Sequence, residues 1–268
     1  MKIAKPSQSL RPFVKYYWGI ENGSCTNDYS IRIVPTGLIE VDFYLGSKPS
    51  ILQAERDMID NTVINGQQKQ YFDLCITDKL LLFSVIFQPA GAMMFFDIPI
   101  KELYNRNIPL RYFLKDPIDK LEELLYEADT FDERVDLMND FLFGLLEKNN
   151  KNFEYTRVEG AINKINCCNG NISIENLASE ICLGRKQFER TFTEHIGSTP
   201  KQFLRTVRFQ YVIHNKLSFP QLSLTELAYK SGYYDQSHMI ADFKALTGMT
   251  PKQYFSNCDL ASDYFALV

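Results

Sequence analysis

The stretch LTELAYKSGYYDQSHMIADFKALTGMTPKQY, residues 224–254, decides the fold, because a version of it stands about 50 residues earlier in the chain. The earlier copy is IENLASEICLGRKQFERTFTEHIGSTPKQF, residues 174–203. Leu177-Ala178 matches Leu227-Ala228 at an offset of 50 residues, and Thr199–Gln202 matches Thr250–Gln253 at an offset of 51. A repeat of this kind indicates two copies of one supersecondary unit.

The first helix of each copy is predicted from its apolar spacing and its cap. Ser173 precedes the first of these helices as an N-cap, and Ser223 with Glu226 forms a capping box before the second. The i, i+3, i+4, i+7 spacing of an apolar helix face is carried by Ile174, Leu177, Ala178 and Ile181, and in part again by Leu224, Leu227 and Ala228.

The rest of each copy predicts a turn and a second helix. Gly184 and Gly232 lie in the turns, where a positive φ can be needed. The second helices are expected over 185–195 and 235–246, with one extra residue in the second turn. A connecting helix over 200–217 begins at Thr199-Pro200 and would be about 25 Å long. A rod of that length would place the second helices roughly one DNA turn, about 34 Å, apart.

The alternative is a plain helical repeat without a DNA role. Solenoids need three or more similar units, and two copies with a distinct connecting helix do not suit them. The net charge of the chain is −4, but residues 151–258 carry an excess of four positive charges, whereas residues 1–150 carry a net charge of −6. This asymmetry favours the DNA interpretation.

The C-terminal ~105 residues resemble the DNA-binding domain of the AraC/XylS family of bacterial regulators. The resemblance implies a seven-helix domain whose third and sixth helices enter the major groove. The matching residues are Leu177-Ala178, Phe188–Phe192, Gly197, Pro200, Phe203, Leu227-Ala228, Gly232-Tyr233, Asp235–His238, Phe243, Gly248, Thr250-Pro251 and Tyr254.

Candidate DNA contacts follow from residue chemistry and from this resemblance. Arginine pairs with guanine, glutamate accepts from cytosine and glutamine pairs with adenine, while phosphates are bound by helix N-termini and cations. At Ala241 the sequence departs from the family, in which an arginine is common, so we expect the first unit to supply more of the specificity. The predicted contacts are Arg185, Lys186, Glu189, Arg190, Gln236, Ser237 and His238 on the second helices, and Thr199, Lys201, Arg205 and Thr250 at phosphate positions.

The first 150 residues predict strands followed by helices. Ile39–Leu45 alternates apolar and polar residues as a half-buried strand does, and 31–34, 72–76 and 80–87 predict further strands. Helices are expected over 91–96, 118–127 and 131–147, the last behind a Thr130–Glu133 capping box. Its apolar stripe predicts either a dimer seam or packing on its own sheet. The fold class is therefore α+β: an N-terminal β-barrel or sheet with helices, and an all-α C-terminal domain.

The N-terminal half also carries a resemblance, through Pro6–Leu10, Phe13-Val14 with Tyr17-Trp18, Val34–Gly37 and Phe87–Gly91. These residues resemble the N-terminal domain of many members of the same regulator family, which is similar to a cupin-like sensing barrel. The implied role is effector binding or dimerisation. We expect domains over 1–150 and 151–258 and a tail over 259–268.

An enzyme is the main alternative function, and the sequence offers little for it. Residues 1–150 contain no histidine, which argues against a cupin metal centre, and we predict no metal or cofactor. Glu40, Asp42 and Asp73 could be paired acids, but carboxylates on strands usually lie on solvated faces. Cys167-Cys168 could sense oxidants or soft metals, but a pair of free thiols is the expectation. Tyr16, Tyr17, Trp18, Tyr44 and Tyr71 could line a ligand pocket, although ordinary packing is the simpler expectation.

The expected protein is a cytoplasmic transcription regulator and not an enzyme. Its expected partners are double-stranded DNA and RNA polymerase, with a small-molecule effector and a second copy of the chain as further candidates, and no membrane. A regulator controlled by abundance or by a protein partner stays open, as does an enzyme domain fused to a DNA-binding module.

Overall fold

The computed structural model describes residues 1–21, 29–52, 56–57, 60–149 and 151–257. The expected tail over 259–268 lies outside the described residues. Within them, no helix is both long and apolar enough to cross a lipid bilayer.

The N-terminal half contains two separate antiparallel sheets. The six-stranded sheet has the order β1-β2-β9-β4-β7-β10, and the four-stranded sheet has the order β3-β8-β5-β6. This confirms the sheet expected for the α+β class. The strands are β1 Lys2–Ala4, β2 Val14–Glu21, β3 Tyr29–Ile33, β4 Glu40–Tyr44, β5 Ser50–Ile51, β6 Arg56–Asp57, β7 Thr62–Asn65, β8 Phe72–Ile76, β9 Leu81–Phe87 and β10 Asn107–Pro109.

Strand β4 is buried on both faces, which corrects the prediction of a solvated polar face. Val41 and Phe43 pack into the main core on one side. Asp42 and Tyr44, on the other side, are 6% and 4% exposed. The second sheet covers this side of the strand, so the alternation separates two buried environments rather than core from solvent.

Two 3₁₀ helices and two longer α-helices pack on the face of the six-stranded sheet opposite the second sheet. Two 3₁₀ helices, Gly91–Met94 and Ile100–Leu103, lead to α1 Arg111–Glu127 and α2 Phe131–Leu146. Helix α1 starts earlier than predicted but is interrupted at Leu114 and Lys115, whose backbone is not helical. The break stands just before Pro117, which has no N–H to donate and whose ring would clash with the carbonyl four residues earlier in a continuous helix.

The apolar stripe of α2 packs on its own domain rather than standing free as a dimer seam. The Thr130–Glu133 capping box forms as predicted. The ring of Phe131 lies 5.7 Å from that of Phe83 in the sheet. Val135, Met138 and Leu142 are buried in the same core.

Residues 151–257 contain the seven helices that the resemblance implied. They are α3 Asn152–Cys167, α4 Ile174–Glu180, α5 Arg185–Ile196, α6 Pro200–Ser218, α7 Leu224–Lys230, α8 Gln236–Thr247 and α9 Pro251–Asn257. The second turn, between α7 and α8, is one residue longer than the first, as the offsets predicted.

Helix α6 connects two hydrophobic cores. Phe203, Leu204 and Val207 belong to a core that also contains α4, α5 and most of the N-terminal domain. Phe209, Val212 and Ile213 belong to a smaller core with α7, α8 and α9. The first repeat is therefore fused to the N-terminal half by shared packing, and the second is held mainly through α6.

Candidate nucleic-acid interface

The first unit consists of α4, a four-residue turn and α5. The hydroxyl of Ser173 accepts a hydrogen bond from the backbone N–H of Asn176 at 3.1 Å and caps α4, as predicted. Gly184, the N-cap of α5, has an ordinary extended conformation with φ −68°, so the expectation of a positive φ there is wrong. The positive φ, 54°, is at Cys182. Cys182 precedes Gly232 by 50 residues and is its counterpart.

The exposed face of α5 is cationic. Arg185 pairs with Glu175 and with Glu189, the latter at 3.1 Å, so its charge is largely compensated by neighbours. Lys186 and Arg190 are exposed on the same face. Among the described residues, neither of these two has an ion-pair partner within 4.0 Å. They are the cations of this helix most available to DNA.

The second unit repeats the geometry with stronger caps. Ser223 and Glu226 form the predicted capping box on α7. Gly232 has φ 80°, which confirms the expectation for this turn. Asp235 caps α8 by accepting from the backbone N–H of His238 at 2.7 Å. A carboxylate therefore stands where the first unit has Gly184.

The exposed face of α8 is polar rather than cationic. Gln236 accepts a hydrogen bond from the hydroxyl of Thr225 at 2.8 Å. His238 stands edge-on to Tyr233, with ring centroids 5.2 Å apart, and half of its side chain remains exposed. Ser237 and Ala241 are exposed beside it. Ala241 follows Arg190 by 51 residues, so the two units differ at this position by one whole charge.

The predicted phosphate-binding residues fall into two groups. Thr199 and Thr250 cap α6 and α9 in boxes with Gln202 and Gln253, and Lys201 is exposed in the first turn of α6. Arg205 instead points into the domain, where its Nε donates to Asp242 at 2.6 Å. It ties α6 to α8.

The matching family models cover the two halves of the chain separately. A helix-turn-helix domain model matches residues 177–257, and a model of a domain of unknown function (DUF6597) matches residues 2–109. Residues 177–257 form an AraC-type helix-turn-helix domain.

Relatives of the AraC-type domain carry regulator names. An uncharacterized HTH-type transcriptional regulator of Haemophilus influenzae is 34% identical over 32% of this chain, and the match covers 29% of that protein. The HTH-type transcriptional activator RhaS of Mannheimia succiniciproducens is 22% identical over 68% of this chain and 70% of its own length. Among solved structures, ToxT from Vibrio cholerae aligns with 90% of this chain and 97% of its own at 12% identity and a TM-score of 0.46.

Contacts between the N-terminal half and the AraC-type domain were not predicted from the sequence. Gln67 accepts a hydrogen bond from Ser198 at 2.5 Å, just after α5. Arg32 donates to the carbonyl of Thr247 at 3.0 Å, and the backbone N–H of Tyr71 donates to the carbonyl of Leu246 at 3.0 Å. All of these contacts lie at the C-terminal ends of α5 and α8, so the N-terminal halves of both helices remain open.

A cavity of about 120 Å³ lies between the two sheets. Its walls are mostly apolar, and Glu40, Asp42 and Asn65 stand together on one side of it. Of the aromatic residues considered from the sequence, Trp18 and Tyr44 line it. Tyr16 and Tyr17 are core residues, and Tyr71 stacks on Arg32.

The two acids of the cavity accept several hydrogen bonds from neighbouring side chains. Trp18 donates through Nε1 to Glu40 at 2.8 Å. Asp42 accepts from Asn65 at 2.7 Å, from Tyr44 at 3.3 Å and from Ser84. Burial raises the pKa of Glu40 well above its usual range and raises the pKa of Asp42, and the neighbouring Asp42 charge raises that of Glu40 further. The sequence signal for this pair was the alternation of apolar and polar residues in β4. It predicted a solvent-exposed polar face because no residue near β4 in the sequence indicates the second sheet that covers it.

Asp73 pairs with Arg32 at 2.7 Å and does not belong to the cavity. Of the described cysteines, Cys75, Cys167, Cys168 and Cys182 are free thiols.

Proposed function

We propose that this chain is a sequence-specific DNA-binding transcription regulator of the cytoplasm, with α5 and α8 entering successive major grooves on one face of the duplex. One observation carries the proposal: the contacts of the N-terminal half lie at the C-terminal ends of both helices, and the opposite ends are open. Helix α6, with 19 residues, is a rod of about 28 Å between the two units. That length suits helices spaced by one turn of DNA.

The two units would share the work unequally. Lys186 and Arg190 on α5 have the charge for guanine or phosphate contacts. On α8, Ala241 with Ile240 would contact thymine methyl groups, while Gln236, Ser237 and His238 anchor the helix. Thr199, Lys201 and Thr250 would bind phosphates. Arg185 and Glu189 would support the exposed face of α5 that contacts the bases. Arg205 is the weakest of the candidate contacts, because Asp242 already takes its charge.

The N-terminal half would modulate DNA binding through β3. Successive side chains of a strand point to opposite faces. Ile31 and Ile33 line the cavity, whereas Arg32 between them bonds to Thr247 at the end of α8. The segment that follows contacts α6, because Gln210 donates to the carbonyl of Pro35 at 2.6 Å. A molecule in the cavity would therefore press on the strand that holds the second unit.

Activation is the proposed outcome, with RNA polymerase as a partner and a second copy of the chain as a further one. The relative from Mannheimia succiniciproducens is named as an activator. The cavity favours an effector-controlled regulator over one set by abundance alone, and nothing in the matched families favours an enzyme.

The test is binding of the purified chain to a fragment of its own promoter region, compared with random DNA of equal length, at about 50 and 200 mM salt. We expect selective binding that Arg190→Ala weakens strongly and Gln236→Ala weakens less, with a footprint on two neighbouring major grooves. Arg106→Ala, an exposed arginine of the N-terminal half, is the matched control and should bind as the wild type does. Failure to bind any DNA at the lower salt would overturn the proposal.

A further inference from the structure

The cavity between the sheets has two chemically distinct sides. One side is hydrocarbon, formed by Ile20, Ile31, Leu74, Leu82 and Ile86. An apolar cavity of about 150 Å³ is enough to hold benzene, so 120 Å³ accepts a ligand of about that size after a small adjustment. The apolar side therefore selects a compact hydrocarbon group.

The other side is acidic. Glu40 and Asp42 both reach the cavity, and no Lys or Arg side chain among the described residues lines it. Buried carboxyl groups are normally paired with a cation or a metal, because removing a charge from water is costly. In the free protein the pair is tolerable because the two acids stand close enough to share a proton.

The hydrogen bonds show which acid is open to a ligand. Both oxygens of Asp42 accept from protein groups, Ser84 on Oδ1 and Asn65 with Tyr44 on Oδ2. Glu40 accepts from Trp18 through Oε1 and also interacts with Asp42 and Ser84, but its side chain is only partly buried and lines the cavity. A donor entering the cavity would therefore meet Glu40, whose other hydrogen-bond partner is the indole N–H of Trp18.

We propose that the cavity binds a small apolar primary amine, with its ammonium group against Glu40 and Asp42 and its hydrocarbon group among the isoleucines and leucines. An ammonium group supplies the missing positive charge and three donors. Glu40 gives up the shared proton to solvent as the cation arrives, so one proton is released for each amine bound. This proposal specifies the effector that the proposed function requires. It rests on the proposed function only for the effect that the bound amine would have on DNA binding.

The experiment uses the full chain without DNA and three probes that share a six-membered ring: benzylamine, benzyl alcohol and benzoate. Isothermal titration calorimetry in two buffers of different ionisation enthalpy measures both affinity and proton release. We expect benzylamine to bind at least tenfold more tightly than the other two and to release a proton. Glu40→Gln keeps the shape of the side chain and should weaken benzylamine at least tenfold, whereas the matched exposed change Glu21→Gln should leave it unchanged.

A second variant locates the binding. Leu74→Phe fills the apolar side and should abolish benzylamine binding while the chain still melts cooperatively. Equal or tighter binding of benzyl alcohol or benzoate, an unchanged affinity in Glu40→Gln, or no binding of any probe by the wild-type chain would overturn the proposal. Since none of these measurements contains DNA, such a failure is distinct from failure of the proposed DNA binding.

Discussion

The two helix-turn-helix units have the same helices at nearly the same spacing, yet they differ in what surrounds them. The core of the first unit is continuous with that of the N-terminal half, from Leu10 to Val207. The second unit has a small core of its own, to which the N-terminal half contributes little beyond Val34 and Tyr71. One unit is thus built into the body of the molecule, and the other is attached at the ends of α6 and α8.

The difference extends to the DNA-facing side. The integrated unit carries the exposed cations Lys186 and Arg190, whereas the attached unit carries Ala241 and has the carboxylate of Asp235 at the start of its second helix. The two copies of the motif thus differ both in how they pack against the N-terminal half and in the charge exposed on their second helices. An effector acting through β3 would move the second unit with respect to the first.

The largest effects should come from the equivalent core rings, Phe192 and Phe243, each 1% exposed. Truncation of a buried phenylalanine to alanine costs about 3–5 kcal/mol. Hydrogen exchange should show that Phe192→Ala loosens the first unit together with Ile100–Leu103, which packs against α5. Phe243→Ala should loosen α7 to α9 and the C-terminal half of α6, where Phe209 packs on Phe243. Identical exchange patterns in the two variants would remove the distinction between an integrated and an attached unit.

The next effect concerns the charge at equivalent positions 190 and 241. Arg190→Ala should weaken specific binding about 10- to 100-fold, as expected for loss of a base contact of about 1–3 kcal/mol. Ala241→Arg should strengthen binding and steepen the dependence of log K on log salt by about one. Fluorescence anisotropy over a salt series measures both. If Ala241→Arg left the slope unchanged, α8 would not lie along the DNA.

A smaller effect concerns the positive φ of the two turns. Gly232→Ala should cost about 1–2 kcal/mol, because an L-residue is strained there and the new Cβ would lie 3.3 Å from the Cβ of Asn171. Cys182→Gly, the reverse change in the first unit, should be neutral or stabilise by up to about 1 kcal/mol, since relief of strain is offset by the entropy of glycine. Thermal unfolding measures both, and Cys182→Ala separates the thiol from the backbone effect. A clear loss of stability in Cys182→Gly would contradict the strain argument.

The sequence predicted the C-terminal helices well, because each carries its own signal. Caps such as Ser223–Glu226 and the apolar spacing of α4 and α7 act within one turn of helix, so local residues are sufficient. The positive φ of the first turn was assigned to Gly184 rather than Cys182 because glycine is the usual residue there, and only the offset of 50 residues marks Cys182 as the counterpart of Gly232.

The N-terminal half was predicted less completely because its determinants are not local. Of the ten strands, β4, β8 and β9 were expected nearly as found, and β3 was shifted by about two residues. Short strands such as β5 and β10 carry no pattern of their own and exist because a neighbour pairs with them. The acidic pair in the cavity depends on the bond between Ser84 and Asp42, which are 42 residues apart in the chain. The bond of Arg32 to Thr247 joins residues that are 215 residues apart. No window of sequence contains such contacts.

The smallest effect separates the caps of the two units. Loss of a serine N-cap costs about 0.5–2 kcal/mol. Ser223→Ala should lie near 1 kcal/mol, because Ser223 works in a reciprocal box with Glu226, while Ser173→Ala should lie at the low end because Asn176 returns no such bond. Asn176→Glu should build the missing box and stabilise α4 by a few tenths of a kcal/mol. Equal losses of unfolding free energy in the two serine variants would mean that packing, rather than capping, sets the start of both helices. The stronger caps of the second unit would then contribute less to its stability than its local sequence indicates.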